Sequence, residues 1–380
     1  DINCKRCYSD FNLLRWKQKG GIIMNFIKGM DVSMLQELES EGAKYYLDGQ
    51  EMDIFDLFKQ KGINSIRLRL WNYPYDETGA PYGGGTNDLE TTINLAKRLT
   101  ESGLDFILDF HYSDFWADPK KQVKPKAWTD LTGRDLENAV HDYTLETLKT
   151  LKQNGIQPTC VQVGNEITYG FLWGDGHISN LEGMTSLLQA GISAVREFDS
   201  TIKIMLHLDY GTDNRLYREW FSSVKKYELD FDLIGMSYYP YWNGSLEVLL
   251  ANMNDISQRF DKDIVIAETA FCYTTDSLGC NGMIVDEELA KNVPYEPTKE
   301  GQKEYLEALL NIIKSVRDNR GVGLIYWEPS WLPIPHVAWA KEAGAKYAND
   351  EGELGNSWAN QALFDESGNA NPALDIFLND

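Results

Sequence analysis

Two glutamates, Glu166 and Glu268, each end a short run of mainly apolar residues, VQVGNE and IVIAE. Such runs are typical of buried parallel strands, which deliver their last side chains to the carboxyl edge of a sheet. Two carboxyl groups on either side of an acetal bond can hydrolyse it, because one protonates the leaving oxygen while the other attacks the sugar or activates water. The two glutamates are therefore candidates for catalysis of glycoside hydrolysis.

The elements that must position them alternate regularly along the chain. The pattern predicts strands over Phe26–Val32, Ile63–Trp71, Leu104–His111, Gln157–Glu166, Lys203–Asp209, Leu233–Tyr239, Ile264–Glu268 and Gly323–Trp327. It predicts helices over Glu51–Lys61, Leu89–Ser102, Asp135–Asn154, Leu181–Phe198, Arg215–Tyr227, Leu246–Phe260, Lys299–Arg317 and Pro372–Leu378. Eight strands alternating with helices indicate an α/β protein, and their number favours a closed (β/α)8 TIM barrel.

One domain over residues 26–380 accounts for this pattern, with extended loops after strand seven, over Cys272–Pro297, and after strand eight, as far as Asn356. Residues 1–25 are interpreted as an N-terminal extension that need not be native. In KGGIIM, which ends at Met24, Lys-Gly-Gly is how a purine-rich ribosome-binding site would read if translated. A native start at Met24 would place the protein in the cytoplasm, whereas a removed leader would mean secretion.

Polar or aromatic side chains lie at the predicted carboxyl ends of nearly all these strands, which is where TIM barrels build their sites. They are Asp31, Arg67 or Arg69, His111, Glu166, His207 or Asp209, Tyr239, Glu268 and Trp327. Any one of them has an alternative reading as part of a buried network that only satisfies itself. The set as a whole favours a functional site.

Composition narrows the class of ligand. The formal net charge is −22, which disfavours nucleic acid and strongly anionic polysaccharides and favours a neutral substrate. The chain contains 11 Trp and 20 Tyr, enough to line a cleft that stacks sugar rings. No apolar run reaches the roughly 18 residues that a transmembrane helix needs, so no membrane partner is predicted.

Neither metals nor cofactors are predicted. Cys4 and Cys7 form a lone C-x-x-C without a second pair at zinc-site spacing, and the glycine-rich stretch 79–85 does not join a strand to a helix as a nucleotide site requires. Cys160 lies in a predicted strand and is interpreted as a small core residue. Cys272 and Cys280 could close a loop in an oxidising compartment.

Longer motifs carry a family resemblance that extends over nearly the whole chain from Phe26. RLRLW, DFHYSDFWADP, VGNEI, GFLWGDG, HLD, SYYPYW and YWEPSW begin at residues 67, 109, 163, 170, 207, 237 and 326. They resemble glycoside hydrolase family 53, the arabinogalactan endo-β-1,4-galactanases, which belong to clan A of the retaining glycosidases.

The resemblance implies a role for each matching residue. Glu166 is expected to be the general acid/base and Glu268 the nucleophile, with one pKa raised and the other kept low. Arg67 or Arg69, together with Tyr239, is expected to contact Glu268. The expected substrate-binding residues are Arg67, Arg69, His111, Trp116, Asn165, Trp173, His207, Asp209, Tyr239 and Trp327.

The sequence departs from the family in the loops that hold calcium in many bacterial members. The first loop reads FCYTTDSLGCNGMIVDEEL, and Ala359 stands immediately before NQALFD, so we expect no calcium site of that type. Glu328 is rejected as a rival nucleophile, because strand alternation points it away from the side of Trp327, and a structural salt bridge is expected instead.

The leading hypothesis is therefore a monomeric hydrolase that cuts β-1,4-galactan chains internally without a cofactor. Two alternatives remain from the sequence alone. The first is a clan A hydrolase that acts on another neutral β-glycan, and the second is a carbohydrate-binding barrel that has lost its activity.

Overall fold

Eight parallel strands close into a barrel in this computed structural model, which describes residues 25–350 and 352–379. The strands of the chain are β1 Ile27–Asp31, β2 Tyr45–Leu47, β3 Gln50–Met52, β4 Ser65–Leu70, β5 Asp105–Phe110, β6 Cys160–Val163, β7 Lys203–Leu208, β8 Leu233–Ser237, β9 Asp263–Thr269 and β10 Gly321–Trp327. Around the barrel they follow the order β1-β10-β9-β8-β7-β6-β5-β4, while β2 and β3 form a separate hairpin. The predicted TIM barrel is confirmed.

Helices surround the barrel and pack on its outer face. The α-helices are α1 Leu35–Ser40, α2 Ile54–Gln60, α3 Leu89–Glu101, α4 Gly133–Gln153, α5 Leu181–Phe198, α6 Asn214–Val224, α7 Pro240–Asn243, α8 Leu246–Phe260, α9 Glu287–Ala290, α10 Lys299–Lys314 and α11 Glu342–Ala348. Short 3₁₀ helices cover Lys126–Trp128, Ile167–Tyr169, Lys225–Tyr227, Arg317–Asn319, Ala359–Gln361 and Pro372–Asn379. The predicted closing helix is therefore 3₁₀ and not α.

The first predicted helix was wrong at its amino end. Residues Gln50–Met52 pair with Tyr45–Leu47 across a turn at Asp48 and Gly49, which both have positive φ. The helix begins only at Ile54, because the side chain of Asp53 accepts a hydrogen bond from the backbone N–H of Phe55 and caps it.

The fourth barrel strand is shorter than predicted, ending at Val163 and not at Glu166. Gly164 turns the chain with φ +82, and a Cβ there would lie 2.6 Å from Cγ2 of Ile167, so glycine alone fits this turn. Glu166 itself has φ 47, in the left-handed region that few non-glycine residues adopt. Tyr112, Tyr210 and Glu328 also have positive φ just beyond their strands, so backbone bends surround the mouth of the barrel.

The interior of the barrel changes from apolar to polar along its axis. A plug of buried apolar side chains fills the amino end, including Ile107, Cys160 and Met205. Two residues further along the same strands, and therefore on the same inner face, stand Asp109, Gln162 and His207. The apolar plug supports a layer of buried polar side chains on which the mouth of the barrel rests.

Other expectations concern segments away from this layer. Residues 1–24, with Cys4, Cys7 and the proposed start at Met24, lie outside the described residues. Among the described residues, the free thiols are those of Cys160, Cys272 and Cys280, so the structure contains no Cys272–Cys280 disulfide. The described part of the chain contains no helix that is both long enough and apolar enough to cross a membrane.

Candidate active site

A cavity of about 640 Å³ opens at the carboxyl end of the barrel, and both glutamates line it. Glu268 extends from β9, and Glu166 lies just beyond β6. Buried polar side chains form its floor, among them Asp31, Arg67 and Asp109. Aromatic rings from the loops after β5, β8 and β10 form its walls. The cavity combines paired carboxyl groups with flat apolar surfaces.

Glu268 is held by an arginine and a tyrosine. Its Oε1 accepts a hydrogen bond of 2.7 Å from Nη2 of Arg67, and its Oε2 accepts one of 3.0 Å from the hydroxyl of Tyr239. Arg67 is itself fixed, because its Nε donates to Asp31 at 2.7 Å and its Nη1 donates to Gln162 at 3.1 Å. The sequence left Arg67 and Arg69 as candidates for the contact with Glu268, and the residue that makes it is Arg67.

Arg69 pairs with a different carboxylate. Its Nη1 lies 2.5 Å from Oε1 of Glu328, and its Nη2 donates to the carbonyl of Gly84. The guanidinium lies 4.2 Å from the ring centre of Trp116, so it also packs against the cavity wall. The expected structural salt bridge of Glu328 is confirmed, and both partners are buried.

Among the described residues, none with a positive charge pairs with Glu166 in this way. Its Oε1 accepts a hydrogen bond of 2.7 Å from the hydroxyl of Ser237, a neutral group at the end of β8. Burial raises the pKa of Glu166 well above its ordinary value, and the negative charges of Glu268 and Asp209 raise it further. This is the environment of a carboxyl group that keeps its proton.

Burial raises the pKa of Glu268 above its ordinary value as well, so the expectation of a low pKa was wrong in that form. The charge of Arg67 and its hydrogen bond oppose the rise. Two carboxylates that share a cavity repel each other, so the first proton to leave comes from the group with the cationic partner. Glu268 is therefore the carboxyl group that ionises first.

The sequence model of glycosyl hydrolase family 53 matches residues 27–377. This chain belongs to glycosyl hydrolase family 53. It is 35% identical to a Bacillus subtilis protein named endo-beta-1,4-galactanase, with 95% of this chain and 87% of that protein covered. It is 34% identical to an arabinogalactan endo-beta-1,4-galactanase of Cellvibrio japonicus, with 93% and 90% covered.

A solved family 53 structure has the same fold. The catalytic domain from Ignisphaera aggregans superposes with a TM-score of 0.87 and 38% identity, covering 94% of this chain and 97% of that one. The resemblance read from the motifs is confirmed over the barrel.

The family 53 cavity brings His111 and Asn165 together below its mouth. Nδ1 of His111 accepts from the indole N–H of Trp71 at 3.0 Å, so its proton lies on Nε2, which is 3.3 Å from Asp109 Oδ2. Asn165 donates from Nδ2 to the carbonyl of Ala117 at 2.9 Å. Both side chains line the cavity, as their predicted sugar contacts require.

His207 and Asp209 end the same strand but occupy different places. Asp209 lines the cavity and accepts a hydrogen bond from the Thr168 hydroxyl, and burial raises its pKa to about 7. His207 is fully buried and lies beneath the lining, where it contacts Asn165 and Ser237. The expectation that His207 contacts substrate is therefore not met, because its neighbours cover it completely.

Of the three tryptophans predicted to contact substrate, two line the cavity and one does not. Trp116 and Trp327 line the cavity with ring centres 6.1 Å apart, as predicted. Trp173 lies outside the lining and packs edge-on against His177, with its indole N–H donated to the carbonyl of Tyr169. The structure therefore does not place Trp173 where it would stack on a sugar in this cavity.

Sequence reasoning missed several residues of the site. The lining also includes Ser237, Trp242, Trp339 and Trp358, and Gln162 connects Arg67 to Asp109 from below. Strand alternation from Tyr239 would have identified Ser237, and a glutamine inside the apolar run CVQV would have identified Gln162. Trp339 and Trp358 lie in the long loop after β10, where no periodicity indicates direction.

The loops after β9 and β10 meet above one side of the cavity. The side-chain amide of Asn360 donates to the carbonyls of Thr274 and Val285, at 2.9 and 2.7 Å. The carbonyl of Asn360 in turn accepts from the backbone N–H of Tyr273. Within the described ranges, no group of three or more His, Cys, Asp or Glu side chains is arranged to hold a metal ion.

Proposed function

We propose that this chain is an endo-acting hydrolase of β-1,4-linked galactan that works by double displacement with retained configuration. The observation that carries the proposal is the difference between its two carboxyl groups. Glu268 receives hydrogen bonds from Arg67 and Tyr239, whereas Glu166 receives one from the neutral hydroxyl of Ser237. One group is thereby prepared as an anion and the other as an acid.

In the first half-reaction, the carboxylate of Glu268 attacks the anomeric carbon of the sugar. Glu166 gives its proton to the glycosidic oxygen, the bond to the leaving chain breaks, and a glycosyl ester forms on Glu268. Arg67 then hydrogen-bonds an ester that has lost its negative charge. Because Glu268 is no longer an anion, the electrostatic contribution that raises the pKa of Glu166 disappears, and the ionised Glu166 is stabilised.

In the second half-reaction, Glu166 acts as a base. Its carboxylate takes a proton from water as the water attacks the anomeric carbon, and the ester bond to Glu268 breaks. The two inversions leave the configuration unchanged, and both carboxyl groups return to their initial states. Asn165, whose Nδ2 is engaged with Ala117, and Trp327 are the neighbours proposed to contact the sugar at the cleavage point.

The substrate assignment is supported by the activities in the names of the two galactanase relatives. It is also supported by the negative net charge of the chain, which favours an uncharged substrate. The test is reducing-end release with product sizing on β-1,4-galactan, beside mannan, xylan and β-glucan. We expect wild type to cut galactan to short oligomers and Glu166→Ala to lose most of that activity. Cleavage of another glycan alone would overturn the substrate assignment.

Two further measurements separate mechanism from binding. Proton NMR of the first products should show the β anomer before mutarotation, and initial release of the α anomer would contradict the double displacement. Glu268→Ala should abolish turnover and still bind galacto-oligosaccharides in calorimetry. A wild type that binds these sugars but cleaves none of the four glycans would instead be a carbohydrate-binding barrel.

A further inference from the structure

Ser237 connects the proposed acid to a histidine that the substrate cannot reach. The Ser237 hydroxyl lies 2.7 Å from Oε1 of Glu166 and 2.8 Å from Nε2 of His207. His207 is fully buried, and Ser237 is nearly so. The three side chains form a continuous hydrogen-bonded row from the floor of the barrel to the catalytic cavity.

The direction of this row depends on where His207 carries its proton. Burial, with the nearby charge of Arg67 and the ring of His111, holds the pKa of His207 well below its ordinary value, so the imidazole is neutral and has one N–H. If the proton is on Nε2, it is donated to Ser237, and the Ser237 hydroxyl donates to Oε1 of Glu166. If it is on Nδ1, Ser237 must donate to Nε2 and cannot donate to Glu166.

The surroundings of Nδ1 favour the first arrangement. The backbone N–H of Glu166 points at Nδ1 from 3.4 Å, and a backbone amide can only donate. Oδ1 of Asn165 lies 3.0 Å away and accepts from Gln162 at 3.0 Å; its second lone pair can also accept from Nδ1, so this contact is compatible with either tautomer. A proton on Nδ1 would leave the part-buried amide of Glu166 without this acceptor.

We propose that His207, acting through Ser237, determines which carboxyl oxygen of Glu166 carries the catalytic proton. When His207 carries its proton on Nε2, the Ser237 hydroxyl donates to Oε1 of Glu166. The acid proton of Glu166 is then confined to Oε2. No group among the described residues hydrogen-bonds Oε2 of Glu166, so this oxygen is free for the glycosidic oxygen. The Nδ1–H form would place the proton between Oε1 and Ser237, where it cannot reach substrate.

His207 and Ser237 are thus positioning residues for the acid step, and the inference rests on the hydrolase function proposed above. Since they act as a unit, removing either should have nearly the same effect as removing both. Their loss should weaken protonation of the leaving group more than it weakens attack by Glu268. Substrates that differ in their need for an acid can measure that difference.

The kinetic test compares kcat/KM, which reports the first half-reaction, on galactotetraose and on 2,4-dinitrophenyl β-1,4-galactobioside, whose leaving group needs no proton. Ser237→Ala should lower kcat/KM about 10- to 100-fold on the tetraose and less than about threefold on the aryl glycoside. Ser237→Thr, which keeps the hydroxyl, should recover most of the loss. Equal losses on both substrates would indicate a structural role and overturn the proposal.

The spectroscopic test reads the tautomer directly. The chain has five histidines, so long-range ¹H–¹⁵N spectra of the whole enzyme are simple, and the His207→Gln variant identifies the His207 signals by their disappearance. We expect a neutral Nε2–H imidazole. An Nδ1–H form in an enzyme that cleaves galactan would overturn this inference alone, whereas a wild type inactive on galactan would overturn the proposed function.

Discussion

Asp209 is another carboxyl group that lines the cavity beside the catalytic pair. Its burial places its pKa at about 7, so it is largely neutral below that pH and charged above it. When charged, it raises the pKa of Glu166 and helps the acid to keep its proton. Asp209 therefore acts on Glu166 mainly in the alkaline range.

Asp209→Asn should move the alkaline limb of the kcat/KM profile on galactan to lower pH, because Glu166 loses its proton more easily without that charge. The acid side should change little, since Asp209 is already neutral there. The measurement is the full pH profile of kcat/KM, with Asp130→Asn as the control, since Asp130 is exposed and does not line the cavity. An alkaline limb that stays in place would contradict the argument.

Glu328 and Glu268 look alike in sequence and in burial, and both pair with an arginine, yet the cavity lining includes only Glu268. Glu328→Gln removes the nearest carboxylate from the buried Arg69 and leaves it the longer contact with Asp31 at 3.9 Å, so it should destabilise the fold by at most about 3–5 kcal/mol, while folded protein still turns over. Glu268→Gln should reduce turnover by at least about 1,000-fold. Urea unfolding together with galactan assays separates the two roles, and comparable activity losses would refute the distinction.

The strands and helices could be predicted from the sequence where the pattern of apolar residues was clear. Short runs of apolar residues, or of apolar residues alternating with polar ones as in SIRLRL, located all eight barrel strands. Periodicity failed where a single contact decides the outcome, as at the Asp53 cap and the Gly164 turn. It could not choose between Arg67 and Arg69, since two residues on the same face of a strand differ only in height above the barrel floor.

The side-chain amide of Asn360 makes two of the hydrogen bonds that join the two long loops, beside backbone bonds such as that from Ile284 N–H to the Ser357 carbonyl. Asn360→Ala removes the donor to the carbonyls of Thr274 and Val285 and leaves the buried carbonyl of Val285 without this partner, at a cost of about 1–3 kcal/mol. We expect faster hydrogen exchange and faster proteolysis within 272–297, while the barrel strands keep their protection. Asn292→Ala, at an exposed position in the same loop, is the matched control. Equal protection in both variants would show that other contacts hold the loop.

The formal charge of −22 belongs to the molecule as a whole and acts at long range. Galactan attached to an acidic polysaccharide backbone should be repelled at low ionic strength, where the screening length is about 30 Å at 0.01 M, and less at 0.15 M, where it is about 8 Å. KM on such a polymer should therefore fall as salt rises across this range.

Neutral galactotetraose is the control for the salt experiment, because it has no charge to be repelled, and its KM should stay nearly constant. Initial rates over a salt series on the two substrates make the comparison. A KM that falls equally for both would point to a salt effect on the enzyme and not to repulsion of the backbone.

The tryptophans in the cavity walls should also make the intrinsic fluorescence of the protein sensitive to bound sugar. Within the described part of the chain, six tryptophans line this cavity: Trp116, Trp242, Trp327, Trp331, Trp339 and Trp358. A sugar ring that displaces water from their faces should shift the fluorescence emission to shorter wavelength. In Glu268→Ala, which we expect to bind without cleaving, titration with galacto-oligosaccharides of increasing length should show how many units the cavity accommodates, without any label attached to either partner.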